Sequence, residues 1–329
     1  MAKIGVLGAG TWGMALSRML SNTGHEVTVW SAIEKEVDTF SVTRKHPNLP
    51  GMIIPEEIAF TKNIEQVVED KDIVLFAVPS VFVRSTAAKA SAYIRPGQII
   101  VDVAKGIEPD TLMTLSEVIA DEIKKPVRIV ALSGPTHAEE VAKDIPTAIV
   151  SASEDEEASV YVQEIFMNTC MRVYTNADVK GVELCGALKN IIALAAGMVA
   201  GMGFGDNTKA ALITRGMAEM SRLGSALGAH ASTFAGLAGI GDLIVTCTSV
   251  HSRNNKAGYL MGQGKSVDEA VKEVGMVVEG INAIPAALIL GKKTGVELPI
   301  IEGVAKVVNE GADPRFIVKM LMEREARAE

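Results

Sequence analysis

Ile4-Gly-Val-Leu-Gly-Ala-Gly-Thr-Trp-Gly13, continuing as Met14-Ala-Leu-Ser-Arg-Met-Leu20, changes character twice within a few residues. A short apolar run of strand type gives way to three glycines spaced G-x-G-x-x-G, and these open directly into a helical pattern. A strand, a glycine turn and a helix start in that order are the context in which this spacing holds a dinucleotide pyrophosphate. Gly8 makes the tight turn, Gly10 lets a phosphate approach the backbone, and Gly13 lets the helix lie against the sheet. Amide groups at the helix start then face the anion. A purely structural glycine turn is the alternative, and it leaves the strand–helix placement unexplained.

Working outward, the first half of the chain repeats this alternation. Apolar runs suited to buried strands lie at 4–7, 27–30, 72–78, 99–103, 127–132, 147–151 and 171–174, with helical stretches such as 14–22, 81–93 and 111–123 between most of them. Near-continuous apolar strands joined by helical crossovers predict a mainly parallel sheet covered on both faces. After about residue 176 no strand pattern remains. Long Ala- and Gly-rich helical segments follow at 182–201, 208–227, 233–245 and 277–290. The expected fold is therefore an α/β Rossmann-type parallel-sheet domain over 1–178 and an all-α domain over 179–329. The polar, turn-rich stretch 41–51 reads as a loop, either gating a cleft or simply lying on the surface.

The chain has 329 residues, 48% of them hydrophobic, which is ample for two cores. Its net charge of −8 argues against nucleic acid as the main partner, though a local cluster of donors can still hold a small anion. Cys170, Cys185 and Cys247 lack disulfide or C-x-x-C spacing, so a reducing, cytoplasmic setting and no metal site are expected. Leu184 to Met202 is apolar and long enough to be a candidate membrane span, and Gly197-x-x-x-Gly201 imitates a membrane packing motif. Lys189 and Asn190 sit in its midst, and a central lysine costs about 2.5–3.5 kcal/mol on insertion scales. A buried helix of a globular domain, with Lys189 held for chemistry, is the better reading.

Four further stretches place polar groups at sheet edges or helix ends. Val101-Asp-Val-Ala-Lys-Gly-Ile-Glu108 puts Lys105 just past a strand, at the edge where open α/β sheets bind ligands. Ser133-Gly-Pro-Thr-His-Ala-Glu-Glu140 also follows a strand and offers small donors. Ala238-Gly-Ile-Gly-Asp-Leu243 sets Asp242 among glycines, and His251-Ser-Arg-Asn-Asn255 resembles an anion-binding helix start. Each has a plain alternative: Lys105 as a solvated lysine, Asp242 as a helix cap, Arg253 as a surface charge.

Taken together, the chain resembles the NAD(P)-dependent glycerol-3-phosphate dehydrogenases, particularly the bacterial type. The resemblance runs in order through the Gly8–Gly13 motif, Val78-Pro-Ser80 with Arg84, Lys105-Gly-Ile-Glu108 and Gly134-Pro-Thr-His-Ala-Glu-Glu-Val141. It continues through Glu183-Leu-Cys-Gly-Ala-Leu-Lys-Asn190, Gly241-Asp-Leu243, Ser252-Arg-Asn254 and Val277-Val-Glu-Gly280. It implies reversible hydride transfer between NAD(P)H and dihydroxyacetone phosphate, giving sn-glycerol 3-phosphate for glycerophospholipid synthesis. It is compatible with a homodimer and with no membrane span.

By this resemblance Lys189 is the acid/base group, Lys105 helps hold substrate and cofactor, and Asp242 orients Lys189 or a substrate hydroxyl. Ser252, Arg253 and Asn254 bind the phosphate, and Gly134 and Thr136 lie beside the substrate. Gly8, Gly10, Thr11, Trp12 and Gly13 contact the cofactor, as do Lys105, Ala138, Arg253, Val277 and Glu279. Burial favours a neutral lysine and a nearby carboxylate favours the ammonium, so the two influences oppose each other. The chain departs from the pattern at Ser31 and Ala32, where many relatives carry arginine. Trp30-Ser-Ala-Ile-Glu-Lys35 offers neither an acid nor an arginine at the strand tip, which leaves NAD and NADP both open. Two rivals remain, a two-domain dehydrogenase for hydroxy or sugar acids and a nucleotide-binding redox sensor without chemistry.

Overall fold

The computed structural model describes residues 1–326. Eight strands form one sheet: β1 (Lys3–Leu7), β2 (Glu26–Trp30), β3 (Ala59–Thr61), β4 (Ile73–Phe76), β5 (Ile99–Asp102), β6 (Arg128–Ser133), β7 (Thr147–Ala152) and β8 (Met171–Asn176). Their order is 3-2-1-4-5-6-7-8, parallel throughout except for the β6–β7 pair. The seven strands expected from sequence are present. The eighth, β3, is a three-residue edge strand that pairs with β2 and whose residues are not fully buried, so it carries no apolar run to find.

The strand order reverses between β1 and β4, which pair in parallel with Leu7 opposite Phe76. Chain direction is shared by β1, β4, β5 and β6, so residues following all four emerge at one edge of the sheet. This switch point is where sheets of this type open a ligand crevice. The helices of this unit are α1 (Thr11–Asn22), α2 (Glu34–Thr43), α3 (Glu65–Val68), α4 (Val83–Ala90), α5 (Leu115–Ile123), α6 (Ala138–Val141) and α7 (Glu156–Met167). Met14, Leu16, Val162 and Phe166 build a core on one face of the sheet; Val67, Val83, Ala87 and Ile119 build a second on the other. Ile73 to Phe76, wholly buried, gain about 1.5–3 kcal/mol each from that burial. Because α2 reaches Thr43, the loop expected at 41–51 begins three residues later than the sequence suggested.

Met1–Glu108 with Met113–Glu183 form one compact unit; Pro109–Leu112 with Leu184 onward form a second. The second unit is helical: α8 (Val179–Gly201, begun in the first unit), α9 (Asp206–Ala226), α10 (Ala231–Phe234), α11 (Asp242–Thr248), α12 (Arg253–Gly262), α13 (Val267–Val274), α14 (Glu279–Thr294), α15 (Pro299–Glu310) and α16 (Pro314–Met322). Helix α8 is long and apolar enough to cross a membrane, yet 89% of its most apolar stretch is buried inside the protein, as a core helix requires. Its glycines serve helix packing. A Cβ on Gly197 would lie 2.0 Å from the Asn255 carbonyl oxygen, and one on Gly258 would lie 2.0 Å from that of Leu194. Two G-x-x-x-G rows, one on α8 and one on α12, therefore let the two backbones touch.

The expected single helix at 233–245 is instead broken. A five-residue π-type turn, Leu237–Gly241, separates α10 from α11, with Gly241 N–H donating to Gly236 O at 3.2 Å. Gly236, Gly239 and Gly241 carry no side chain to stiffen a helix, and a Cβ at Gly239 would lie 2.1 Å from Phe234 O. Such turns are frequent at functional sites. This one delivers Asp242 into the interior.

Candidate active site

In the sheet unit the glycine motif forms as the spacing requires. Gly8 adopts φ +122° and donates to Trp30 O at 2.8 Å, binding the turn to the tip of β2. A Cβ at Gly13 would stand 2.3 Å from Gly8 O, so only glycine lets α1 lie this close. Gly10 is the N-cap of α1, with open space where its Cβ would project, no side-chain cap and no acid in the first turn. Thr11 and Trp12 follow as the first helical residues. An uncapped helix start under an open glycine fits the pyrophosphate of a dinucleotide.

Along the same edge, Lys105 follows β5 and donates from Nζ to Gly134 O at 3.1 Å, where Thr136 Oγ1 also donates at 3.2 Å. Three residues that the sequence placed in two separate stretches thus meet at the ends of β5 and β6. Ala138 opens α6 and is largely buried in the core beneath. Gly106 passes so close to Ser80 that a Cβ would meet the Ser80 Cβ at 2.4 Å. Two residues on, Glu108 accepts both Nε and Nη2 of Arg84 at 2.7 Å, while Arg84 Nη1 holds Asp121 and Glu122 at 2.6 Å. The loop bearing Lys105 is therefore pinned on both sides.

Beneath it, the Asp102 carboxyl is wholly enclosed. Burial pushes it well above the usual carboxylate range, and the nearby Glu183 charge adds to the shift. Glu183, in the first turns of α8, accepts Ser116 N–H at 2.8 Å and Ser116 Oγ at 2.5 Å, closing the start of α5. Burial raises its pKa too, against the lowering effect of those hydrogen bonds.

In the helical unit Lys189 is 5% exposed and Asp242 0%. Lys189 Nζ donates to Asp242 Oδ1 at 2.5 Å and to Thr246 Oγ1 at 2.6 Å; the Thr246 hydroxyl in turn donates to Asp242 O at 2.6 Å. The aspartate is therefore a partner of Lys189 and begins α11 rather than capping it. Thr246 was not singled out from sequence. Its only mark there is a position four residues after Asp242, which puts both on one helix face. The Cys247 thiol beside this group is pushed up to about 12 by burial.

Ser252 is the N-cap of α12, its Oγ accepting Asn255 N–H at 3.2 Å. Arg253 opens the helix half-buried, and among the described residues no carboxylate lies within ion-pair distance of it. Asn254 is turned inward. Its Nδ2 donates to Asn190 Oδ1 at 2.9 Å and its Oδ1 accepts Gly280 N–H at 2.8 Å, joining α8, α12 and α14. Asn190, the chain neighbour of Lys189, faces Asn254 instead and donates to Gly186 O at 3.1 Å. Val277 and Glu279 lie at the start of α14, where Glu279 accepts Asn282 Nδ2 at 3.2 Å.

Comparison with known proteins agrees with both units. Residues 3–159 match the family described as NAD-dependent glycerol-3-phosphate dehydrogenase N-terminus, and residues 178–319 match its C-terminus counterpart. The chain is 67% identical to glycerol-3-phosphate dehydrogenase [NAD(P)+] 2 of Lactobacillus delbrueckii subsp. bulgaricus, covering 100% of this chain and 99% of that one. It is 53% identical to glycerol-3-phosphate dehydrogenase [NAD(P)+] of Agathobacter rectalis over 100% and 98% of the two chains. Among solved structures, glycerol-3-phosphate dehydrogenase from Coxiella burnetii superposes with a TM-score of 0.94 at 36% identity, covering 98% of this chain and 99% of that one.

Proposed function

Because this chain belongs to the NAD-dependent glycerol-3-phosphate dehydrogenases, we propose that it reduces dihydroxyacetone phosphate reversibly to sn-glycerol 3-phosphate with Lys189 as the acid/base group. Its place is in the cytoplasm, supplying glycerophospholipid synthesis. The observation that carries the reading is the enclosed Lys189–Asp242–Thr246 group, a proton donor held by two fixed oxygens where solvent has little access.

The nicotinamide cofactor, when bound, supplies or accepts the hydride. The chain's own residues do the rest. Gly8, Gly10 and Gly13 with the amides of Thr11 and Trp12 hold the pyrophosphate. As hydride reaches C2 of the substrate, charge builds on the carbonyl oxygen. Lys189 Nζ polarises that oxygen and transfers a proton to it; in the reverse direction its neutral amine accepts the proton. Asp242 and Thr246 fix the direction of the Nζ–H bonds, which limits the reorganisation needed as charge develops.

Lys105, with Gly134 and Thr136, orients the substrate at the sheet edge. The start of α12, Ser252 to Asn254, binds the phosphate through Arg253 and backbone amides. The Asn254 side chain ties three helices together and acts by holding that helix start in place. Ala138, Val277 and Glu279 stand as further cofactor contacts.

The test is oxidation of NADH and NADPH, assayed in parallel, with dihydroxyacetone phosphate or a β-hydroxy acid's keto form present, together with reduction of NAD+ and NADP+ by 6-phosphogluconate. Turnover with the triose phosphate alone supports the reading. Turnover with either of the others, and none with the triose phosphate, favours the acid-specific dehydrogenase. Nucleotide binding without turnover of any of them favours the redox sensor.

A further inference from the structure

The 2′-phosphate that separates NADP from NAD is the point on which the sequence is silent, and the structure adds a group there. The tip of β2 adjoins the glycine turn, since Gly8 N–H bonds to Trp30 O. The adenosine ribose of a dinucleotide lies at this tip in sheets of this type. Ser31, the next residue, is buried; its Oγ donates to Glu36 Oε2 at 2.6 Å and accepts Ile33 N–H at 3.1 Å. Glu36 belongs to the first turn of α2, yet its carboxylate is folded back onto the strand tip.

Two further carboxylates stand on the same helix. Glu34 shares the first turn of α2, and Asp38 follows on the same helix. Lys62, at the end of neighbouring β3, gives its ammonium to Asp38 at 2.9 Å and to Glu34 at 3.4 Å. Arg44 is directed away, donating to Pro55 O at 3.2 Å and Ile58 O at 2.8 Å. Lys35 is exposed in the first turn of α2. A ribose 2′-hydroxyl can donate to a carboxylate here, whereas a 2′-phosphate would set a dianion against one.

We propose that Glu36, held at the β2 tip by Ser31, is the specificity-determining residue that makes this enzyme select NAD(H) over NADP(H). The selection rests on the dinucleotide site of the proposed function but not on the identity of the substrate. The acid is missed in the sequence because it is six residues beyond Trp30 on a helix, not at the strand end.

The experiment is equilibrium titration of the full-length protein with NADH and with NADPH, read by nucleotide fluorescence without substrate. NADH should bind at least about tenfold more tightly than NADPH. Glu36→Gln keeps the shape and a hydrogen bond to Ser31 while removing the charge, and it should shrink that ratio to about threefold or less, mainly by improving NADPH binding. Glu36→Ala is the second variant and should shrink it likewise. Equal or tighter binding of NADPH by the parent protein overturns the proposal, as does a ratio unchanged in both variants. If neither nucleotide binds, the dinucleotide site itself falls. A clear NADH preference in a protein inactive on dihydroxyacetone phosphate would keep the selectivity and remove the substrate assignment.

Discussion

Lys189 Nζ and Asp242 Oδ1 stand 2.5 Å apart with Thr246 Oγ1 completing a triangle, in an interior that leaves Lys189 5% exposed and Asp242 not at all. An ion pair withdrawn this far is weak grounds for stability, because the desolvation penalty rivals the attraction. It is better suited to holding a proton donor in one direction.

Removing the charge of the partner should therefore damage chemistry more than cofactor binding. Asp242→Asn is expected to lower kcat by about 10²–10³, within the range of acid–base contributions. Thr246→Val, which removes an acceptor from Nζ, is expected to lower it by about tenfold. NADH affinity should change by less than about twofold in both. Steady-state rates with titrated NADH binding check this; a loss confined to KM would point to substrate contact instead.

The loop bearing Lys105 depends on Arg84, whose guanidinium reads three carboxylates in a planar fork. A lysine there supplies a charge but not the two-pronged geometry. Arg84→Lys and Arg84→Met should both reduce kcat/KM for dihydroxyacetone phosphate by about tenfold. If lysine restored the parent value, charge alone would be the contribution of Arg84.

Gly258 has no room for a methyl group beside Leu194 O. Gly258→Ala should separate α12 from α8, costing about 1–3 kcal/mol of stability and weakening the Asn190–Asn254 bond. Denaturant unfolding together with KM for dihydroxyacetone phosphate should register both effects. A variant as stable as the parent would show that the two helices are not bound by close approach.

Glu219 gives the helical unit a pH dependence. It is 2% exposed, accepts Ile300 N–H at 2.7 Å and Ile301 N–H at 3.2 Å, and burial pushes its carboxyl to about 7. Arg222 opposes that shift and Glu302 adds to it. The folded chain then keeps the proton up to about pH 7, while the unfolded chain releases it near the ordinary value of 4.5. The folded state binds more protons across that window, so its stability falls as pH rises through it, by about 3 kcal/mol in all. Glu219→Gln, which retains an acceptor but cannot titrate, should show a smaller drop in Tm between pH 5 and 8 than the parent. Parallel Tm curves would contradict the assignment.

Most of this architecture is legible in the residues. Near-continuous apolar runs mark seven strands, and Gly8, Gly10 and Gly13 mark the turn. The burial of α8 follows from an apolar helix that contains Lys189 and so fits poorly in a bilayer. What escapes notice is set by tertiary context. β3 is too short and too exposed to carry a pattern. The break at Leu237–Gly241 depends on glycines yielding to close packing against Phe234. Thr246 and Glu36 are ordinary helix residues until folding turns one toward Lys189 and the other toward Ser31. Asn190 and Asn254 are visible as polar residues, but their pairing across two helices is not.

The central claim is tested most directly by Lys189→Ala, assayed for dihydroxyacetone phosphate reduction with NADH binding measured on the same preparation. Binding within about twofold of the parent shows that the sheet unit is intact, and turnover reduced by at least about 10³ is the expected result. A variant that binds NADH and still reduces the substrate at the parent rate would mean that Lys189 is not the proton donor.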